Sequence, residues 1–137
     1  MAAVERILKL LLHYTSLLDG IDAGDLGDVY KYLSAVYLLQ VQAQALIDIA
    51  VRAAAALGLE VEGYIDAGEK LRSAGVIDDD EFKRYRAVVR FRNTAVRRYG
   101  AVDAAVIARI VRNREYREAA RLAVKIVEEL RRRGADP

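Results

Sequence analysis

Residues 90–100 read RFRNTAVRRYG, with four arginines, one asparagine and one tyrosine in eleven positions. Arginine's planar fork donates paired bonds to phosphate oxygens and keeps its charge at any ordinary pH. Arg92 and Tyr99 are seven residues apart and share a helix face, while Asn93 and Arg97 share the adjacent face at i, i+4. Arg90, Arg92, Arg97 and Arg98 are therefore candidate phosphate-binding groups. A second reading pairs Arg84, Arg86, Arg90, Arg97 and Arg98 with carboxylates of the N-terminal half. Residue inventory leaves both open.

Other chemistry is excluded by what the chain lacks. With no cysteine there is no disulfide, thiolate nucleophile or thiolate metal site. A glycine-rich phosphate loop, a histidine pair for zinc and a Glu-x-x-His di-iron motif are absent too, so neither metal nor cofactor is expected. The one histidine, His13, lies far upstream among Arg6, Lys9 and Ser16 and reads as a solvated side chain. Charge is unevenly placed: residues 1–81 carry 6 basic and 14 acidic side chains, residues 82–137 carry 16 and 6. The halves can neutralise one another within one fold or across a dimer, or the basic half can form an anion-binding face.

The elements that must position the cluster are helical. One proline, at the last of 137 residues, and glycines mostly at segment boundaries point to a single all-α domain spanning residues 1–137. Val4, Ile7, Leu8, Leu11, Thr15 and Leu18 form one stripe of a first helix, residues 2–18. Asp25 or Asp28 can cap a second helix reaching residue 57, and Gly58 suits its end. A short helix fits residues 64–73. Asp78 and Glu81 form a capping-box pattern for a fourth, which passes through Val89, Arg92 and Val96 and stops at Gly100. Asp103 caps a last helix running unbroken from 104 to about 132, with Val106, Ile110, Leu122, Ile126 and Leu130 inward. The expectation is an up-and-down bundle of about four long helices plus one short one.

The second helix is apolar nearly all round, which places it between helices or between subunits. Gln40, Gln42, Gln44, Asp48 and Arg52 interrupt residues 33–59, arguing against a membrane span; Gln40, Gln44, Asp48 and Arg52 recur every four residues, and Asp48 and Arg52 can pair at i, i+4. This polar stripe reads either as an exposed edge or as the wall of a cleft, with Gln44 and Asp48 as cleft candidates. No leader pattern opens the sequence, so the cytoplasm is the expected location.

With these elements placed, the chain resembles HEPN-domain proteins of the HepT-like ribonuclease toxin group. The resemblance rests on LLQVQAQALIDIAVRAA in the second helix, GYIDAGEKLRSAGVIDDDEF through the short helix into the fourth, and FRNTAVRRYGAVD. Family members typically carry Phe-Arg-Asn, a short apolar step, a histidine, one variable residue, a tyrosine and then an aspartate. Phe91, Arg92, Asn93, Val96, Tyr99 and Asp103 fall in register, and Arg97 stands where the histidine belongs.

The resemblance implies a homodimer whose two motifs line one RNA-binding cleft and cleave RNA without metal, by attack of the ribose 2′-hydroxyl on the adjacent phosphate. It implies a catalytic set of Arg92, Asn93 and the residue at 97, with Arg92 steadying the phosphate. Arg97 cannot relay a proton, because a guanidinium pKa above ~12 leaves almost no neutral form at pH 7. The implied partner is a minimal nucleotidyltransferase antitoxin, which would transfer AMP to Tyr99. Three readings follow: a ribonuclease toxin with an altered site or its degenerate descendant, a non-catalytic HEPN module that binds a nucleotidyltransferase, nucleotide or RNA, and a helical dimer whose arginines serve only ion pairs.

Overall fold

Side chains that satisfy orphan backbone groups set the helix boundaries. Asp28 accepts from the backbone N–H of Tyr30 and Lys31 at 2.9 and 3.0 Å and starts the second helix. Asp78 and Glu81 exchange reciprocal bonds of 2.8 Å, the capping box read from their spacing. Asp103 accepts from Ala105 at 2.8 Å. Gly58 and Gly75 take φ of 74° and 78°, conformations that L side chains resist, and so close the second and third helices.

The computed structural model describes residues 2–97 and 103–135, except the side chains of residues 95–97. Six helices lie among the described residues: α1 (Ala2–Asp19), α2 (Val29–Ala56), α3 (Tyr64–Ser73), α4 (Asp79–Arg97), α5 (Ala104–Arg112) and α6 (Tyr116–Arg132), with a 3-10 turn at Ala23–Gly27. Val4, Leu11, Thr15 and Leu18 turn inward from α1, while Arg6, Lys9, His13 and Ser16 lie outside. α2 packs on α1, α3, α4 and α6. By length and composition it could cross a bilayer, yet 56% of its most apolar window is buried inside the protein.

The interior has two parts. In one, Leu46, Ile49 and Ala53 of α2 meet Tyr85 and Val89 of α4 and Ile126 of α6. In the other, Ala35, Leu38 and Leu39 of α2 meet Ile107 and Val111 of α5, with Phe91 packed beside them. The early part of α2 thus lies beside the late part of α4, so the two helices are antiparallel.

The last helix is not continuous. It breaks at Asn113–Glu115, where Arg114 adopts φ of 51° and Glu115 N–H reaches back to Ile110 O at 3.0 Å. A left-handed conformation costs an L residue about 1–2 kcal/mol. Asp19, at the end of α1, offsets this by holding the corner: it accepts from Tyr116 Oη at 2.7 Å, Arg117 Nε at 3.0 Å and Arg114 Nη1 at 3.5 Å. Because no glycine or proline marks residues 112–115, the sequence pattern runs straight through the break. Val106 and Ile110 are consequently only half-buried, whereas Leu122, Ile126 and Leu130 are fully inside.

Asp19 also ties the acidic half to the basic half, as do Glu5 with Arg131 at 3.0 Å and Glu81 with Lys125. The Tyr116 hydroxyl, then Arg117 and Arg114, hold the Asp19 carboxyl below its ordinary value against the opposing effect of burial. A depressed carboxyl pKa stabilises the fold above the unfolded value near ~3.9, and that contribution fades as pH falls through the folded value. Between about pH 5 and pH 2, the melting temperature of wild type should therefore drop more steeply than that of Asp19→Asn. Parallel melting curves would show that Asp19 carries none of the acid sensitivity.

Candidate functional site

α4 turns two faces to the bundle. Phe82, Tyr85, Val89 and Arg92 follow at helical spacing on one, while Arg84, Val88 and Phe91 lie on another. The first face builds the candidate site. Tyr85 is fully buried, and its hydroxyl donates to the Tyr64 carbonyl at 2.7 Å, fixing the first turn of α3 against α4. Burial, then the Asp48 carboxylate and Tyr64, push the Tyr85 phenol well above its ordinary pKa, so it stays a donor. Gly68 makes the approach feasible: a Cβ there would sit 2.4 Å from Tyr85 Cδ2 and 2.7 Å from Cε2.

One step beyond Val89, the Arg92 guanidinium lies over the Tyr64 ring, its Cζ 5.6 Å from the centroid. Nη1 donates to Asn93 Oδ1 at 3.4 Å, a weak bond, and Nε is buried with no hydrogen-bond partner. Tyr64 itself is 41% exposed, so the guanidinium rests on a ring at the protein surface. The described residues include no carboxylate paired with Arg92. This guanidinium therefore combines a seat on a ring, no carboxylate partner among the described residues and Nη donors beyond the one given to Asn93, properties that suit phosphate binding.

Other predicted site residues are placed as follows. Gln44 Nε2 donates to Asp48 Oδ1 at 2.9 Å on the partly buried side of α2, and Asp48 does not form the i, i+4 pair with Arg52 that the spacing allows. Asp48 is near enough to act on the Tyr85 phenol, which joins α2 to the set. Arg90 points elsewhere: it is exposed on the α5–α6 side with Phe91 and Thr94, not beside Arg92. Arg97 ends α4, but its side chain falls outside the described residues, as do Arg98, Tyr99 and Gly100. Tyr64, Tyr85 and Gly68 were given no role by sequence reasoning.

The expected pairing of α4 arginines with the acidic half is absent among the described residues. Arg84 pairs with Glu118 of α6 at 3.4 Å, Arg86 lies over the Phe82 ring at 5.5 Å, and neither Arg90 nor Arg92 has a carboxylate partner. A cavity of about 590 Å³ opens on the other face of α4, lined by Leu39, Val88, Phe91, Ile110, Tyr116 and Leu122 among others. Its lining is mainly apolar; of its arginines, Arg84 and Arg109 pair with Glu118 and Glu115, and Arg90 has no carboxylate partner among the described residues. The ring-seated Arg92 guanidinium is not part of this lining. Among the described residues, no group of three or more His, Asp or Glu could hold a metal ion.

Comparison with known proteins agrees with this architecture. A family model described as Ribonuclease HepT-like matches residues 3–126. The structure of the cytosolic protein of unknown function YutE from Bacillus subtilis superposes with a TM-score of 0.84 at 15% identity, covering 96% of this chain and 91% of that one. A crystal structure of a toxin-antitoxin with AMP-PNP superposes with a TM-score of 0.71 at 17% identity, covering 90% of this chain and 98% of that one. At such identities these likenesses speak for the fold. No curated protein matches the chain.

Proposed function

From its membership in the HepT-like ribonuclease family, which the match over residues 3–126 shows, we propose that the chain is the toxin component of a toxin–antitoxin pair and acts on RNA without metal. The observation that carries this reading is the Arg92 guanidinium, seated on Tyr64, tied to Asn93 and free of any carboxylate among the described residues. Arg92 binds and steadies the RNA phosphate. Asn93 orients it, Arg97 adds positive charge at the end of α4, and Arg98 follows it in sequence. Arg97 supplies attraction without proton transfer, so binding outlasts turnover and residual cleavage is electrostatic.

In this reading the site is assembled from two chains, with both α4 ends on one cleft walled by Gln44 and Asp48. Support comes from the surface beside it. Val29, Leu33 and Tyr37 leave α2 at 58%, 56% and 60% exposure, and antiparallel packing puts this stretch at the Arg92 end of α4. Such a run of large apolar side chains on a water-facing helix suits an interface. A minimal nucleotidyltransferase is the expected antitoxin and Tyr99 its AMP acceptor, both by family resemblance. Arg90, on the far side of α4, contributes at most long-range charge.

Fluorescence anisotropy with labelled single-stranded RNA, free of metal, tests the proposal. Arg92→Ala should weaken binding about 10- to 100-fold, the worth of a charge-assisted phosphate contact. It should also flatten the salt dependence by about 0.7 in log–log slope per lost contact. Equal affinity and slope for both proteins would remove Arg92 from the site. A specific observation, arginine at position 97, favours a second reading in which the chain binds its nucleotidyltransferase or RNA and performs no chemistry. Co-purification with the product of a neighbouring nucleotidyltransferase frame, together with no cleavage above the Arg92→Ala background, would establish it.

A further inference from the structure

We propose that Tyr64 is a positioning residue for Arg92: its ring holds the guanidinium so that a phosphate is met end-on, by the two Nη groups. The functional consequence rests on the reading of Arg92 as the phosphate-binding group, whereas the positioning itself does not. An arginine carries about 2 kcal/mol of rotamer entropy, which a solvated side chain loses on gripping a ligand. Here the guanidinium carbon lies 5.6 Å from the Tyr64 centroid, within range of a cation–π attraction. Nε is buried. A side-on grip through Nε and one Nη is therefore closed, and of the five N–H donors one is enclosed and one is given to Asn93. Three donors, all on the Nη atoms, remain for an anion.

Tyr64 can serve as a seat because it is itself fixed. It is the first residue of α3, and its carbonyl accepts the Tyr85 hydroxyl at 2.7 Å. The Tyr85 ring runs against Gly68, one turn further along α3. The line from Gly68 through Tyr85 and Tyr64 to Arg92 converts a buried packing contact into the orientation of a half-buried charge. The Tyr64 hydroxyl has no part in it; the ring is what matters.

Two readouts separate this role from mere stability. The first is the Arg92 Nε–H resonance in RNA-free protein, assigned by its loss in Arg92→Lys. In wild type and Tyr64→Phe it should be ring-current shifted and slow to exchange, and in Tyr64→Leu it should move to the unshifted position and exchange fast. The second is RNA affinity. Tyr64→Phe should bind within about twofold of wild type, and Tyr64→Leu about 3- to 30-fold more weakly, the range of a cation–π contact. Added to Arg92→Ala, Tyr64→Leu should cost nothing more, because both changes remove one function.

An unmoved Nε–H signal in Tyr64→Leu overturns the proposal whatever RNA does. A further loss of affinity in the double variant overturns it too, since Tyr64 would then be touching RNA itself. If Arg92→Ala leaves RNA binding intact, the phosphate-binding reading fails, and the resonance alone decides the positioning. Should Tyr64→Leu not fold, Tyr64→Trp decides: its larger ring current must displace the signal further, and a signal left in place refutes the contact.

Discussion

Replacing Arg97 with histidine is expected to raise metal-free RNA cleavage by about 10²- to 10⁴-fold, the usual contribution of a placed general acid–base group. The attacking 2′-hydroxyl must lose a proton and the leaving 5′-oxygen must gain one, while charge accumulates on the phosphate oxygens. Arg92 can serve only the last of these. A histidine, with an unperturbed pKa near ~6.5, exists in both protonation states around neutral pH and can serve the others. Arg97→His should therefore acquire a rate maximum near neutrality, where wild type shows a flat pH profile or no cleavage at all. The gain should vanish in Arg92→Ala/Arg97→His, because proton transfer without phosphate stabilisation leaves the charged transition state unsupported. A flat profile and an unchanged rate in Arg97→His would sink the reading of position 97 as the proton-relay position.

Much of this protein was legible in its residues. Helix starts declared themselves through Asp28, Asp78, Glu81 and Asp103, because capping depends on a side chain two or three positions away and so is written locally. The inward stripe of α1 followed from apolar spacing alone. The break at Arg114 did not, because what holds it is Asp19, ninety-five positions earlier. Composition likewise showed an acidic and a basic half without showing which charges meet: Glu5 and Asp19 pair with α6 and its approach, and among the described residues Arg86, Arg90 and Arg92 of α4 have no carboxylate partner.

The candidate site divides the same way. Arg92 and Asn93 were visible as a cluster, and helical spacing alone sets Arg90 nearly opposite Arg92; which of the two meets the ring of another helix waited on the inward face of α4. Tyr64 lies on a different helix, twenty-eight positions before Arg92, and its ring contact is tertiary. Gly68 left one signal, a glycine in the middle of an otherwise regular helical run. A glycine there weakens a helix by about 1 kcal/mol relative to alanine, so its presence marks a close approach by something else. That something is the Tyr85 ring.

Its consequence can be measured. Gly68→Ala should destabilise the protein by about 1–3 kcal/mol, although helix propensity alone would make alanine the better residue. The new Cβ would fall 2.4 Å from Tyr85 Cδ2 and 3.1 Å from Phe82 Cδ1, and Tyr85, fully buried, has nowhere to withdraw. Tyr85→Ala should cost more, about 3–5 kcal/mol, by emptying a large buried volume. Tyr85→Phe, which keeps the ring and strips the donor from the Tyr64 carbonyl, should cost about 1 kcal/mol. The informative protein is the double variant. With Tyr85 cut to alanine, a methyl group at position 68 enters vacated space and the propensity gain returns, so Gly68→Ala should become neutral or stabilising in that background. Denaturant unfolding of the four proteins measures this coupling, and strictly additive costs would mean that Gly68 does not exist to admit the ring. RNA binding should respond to the same contacts. Tyr85→Phe at modest cost in stability should already loosen Tyr64, and with it the seat of Arg92, so affinity should fall in a protein that remains folded.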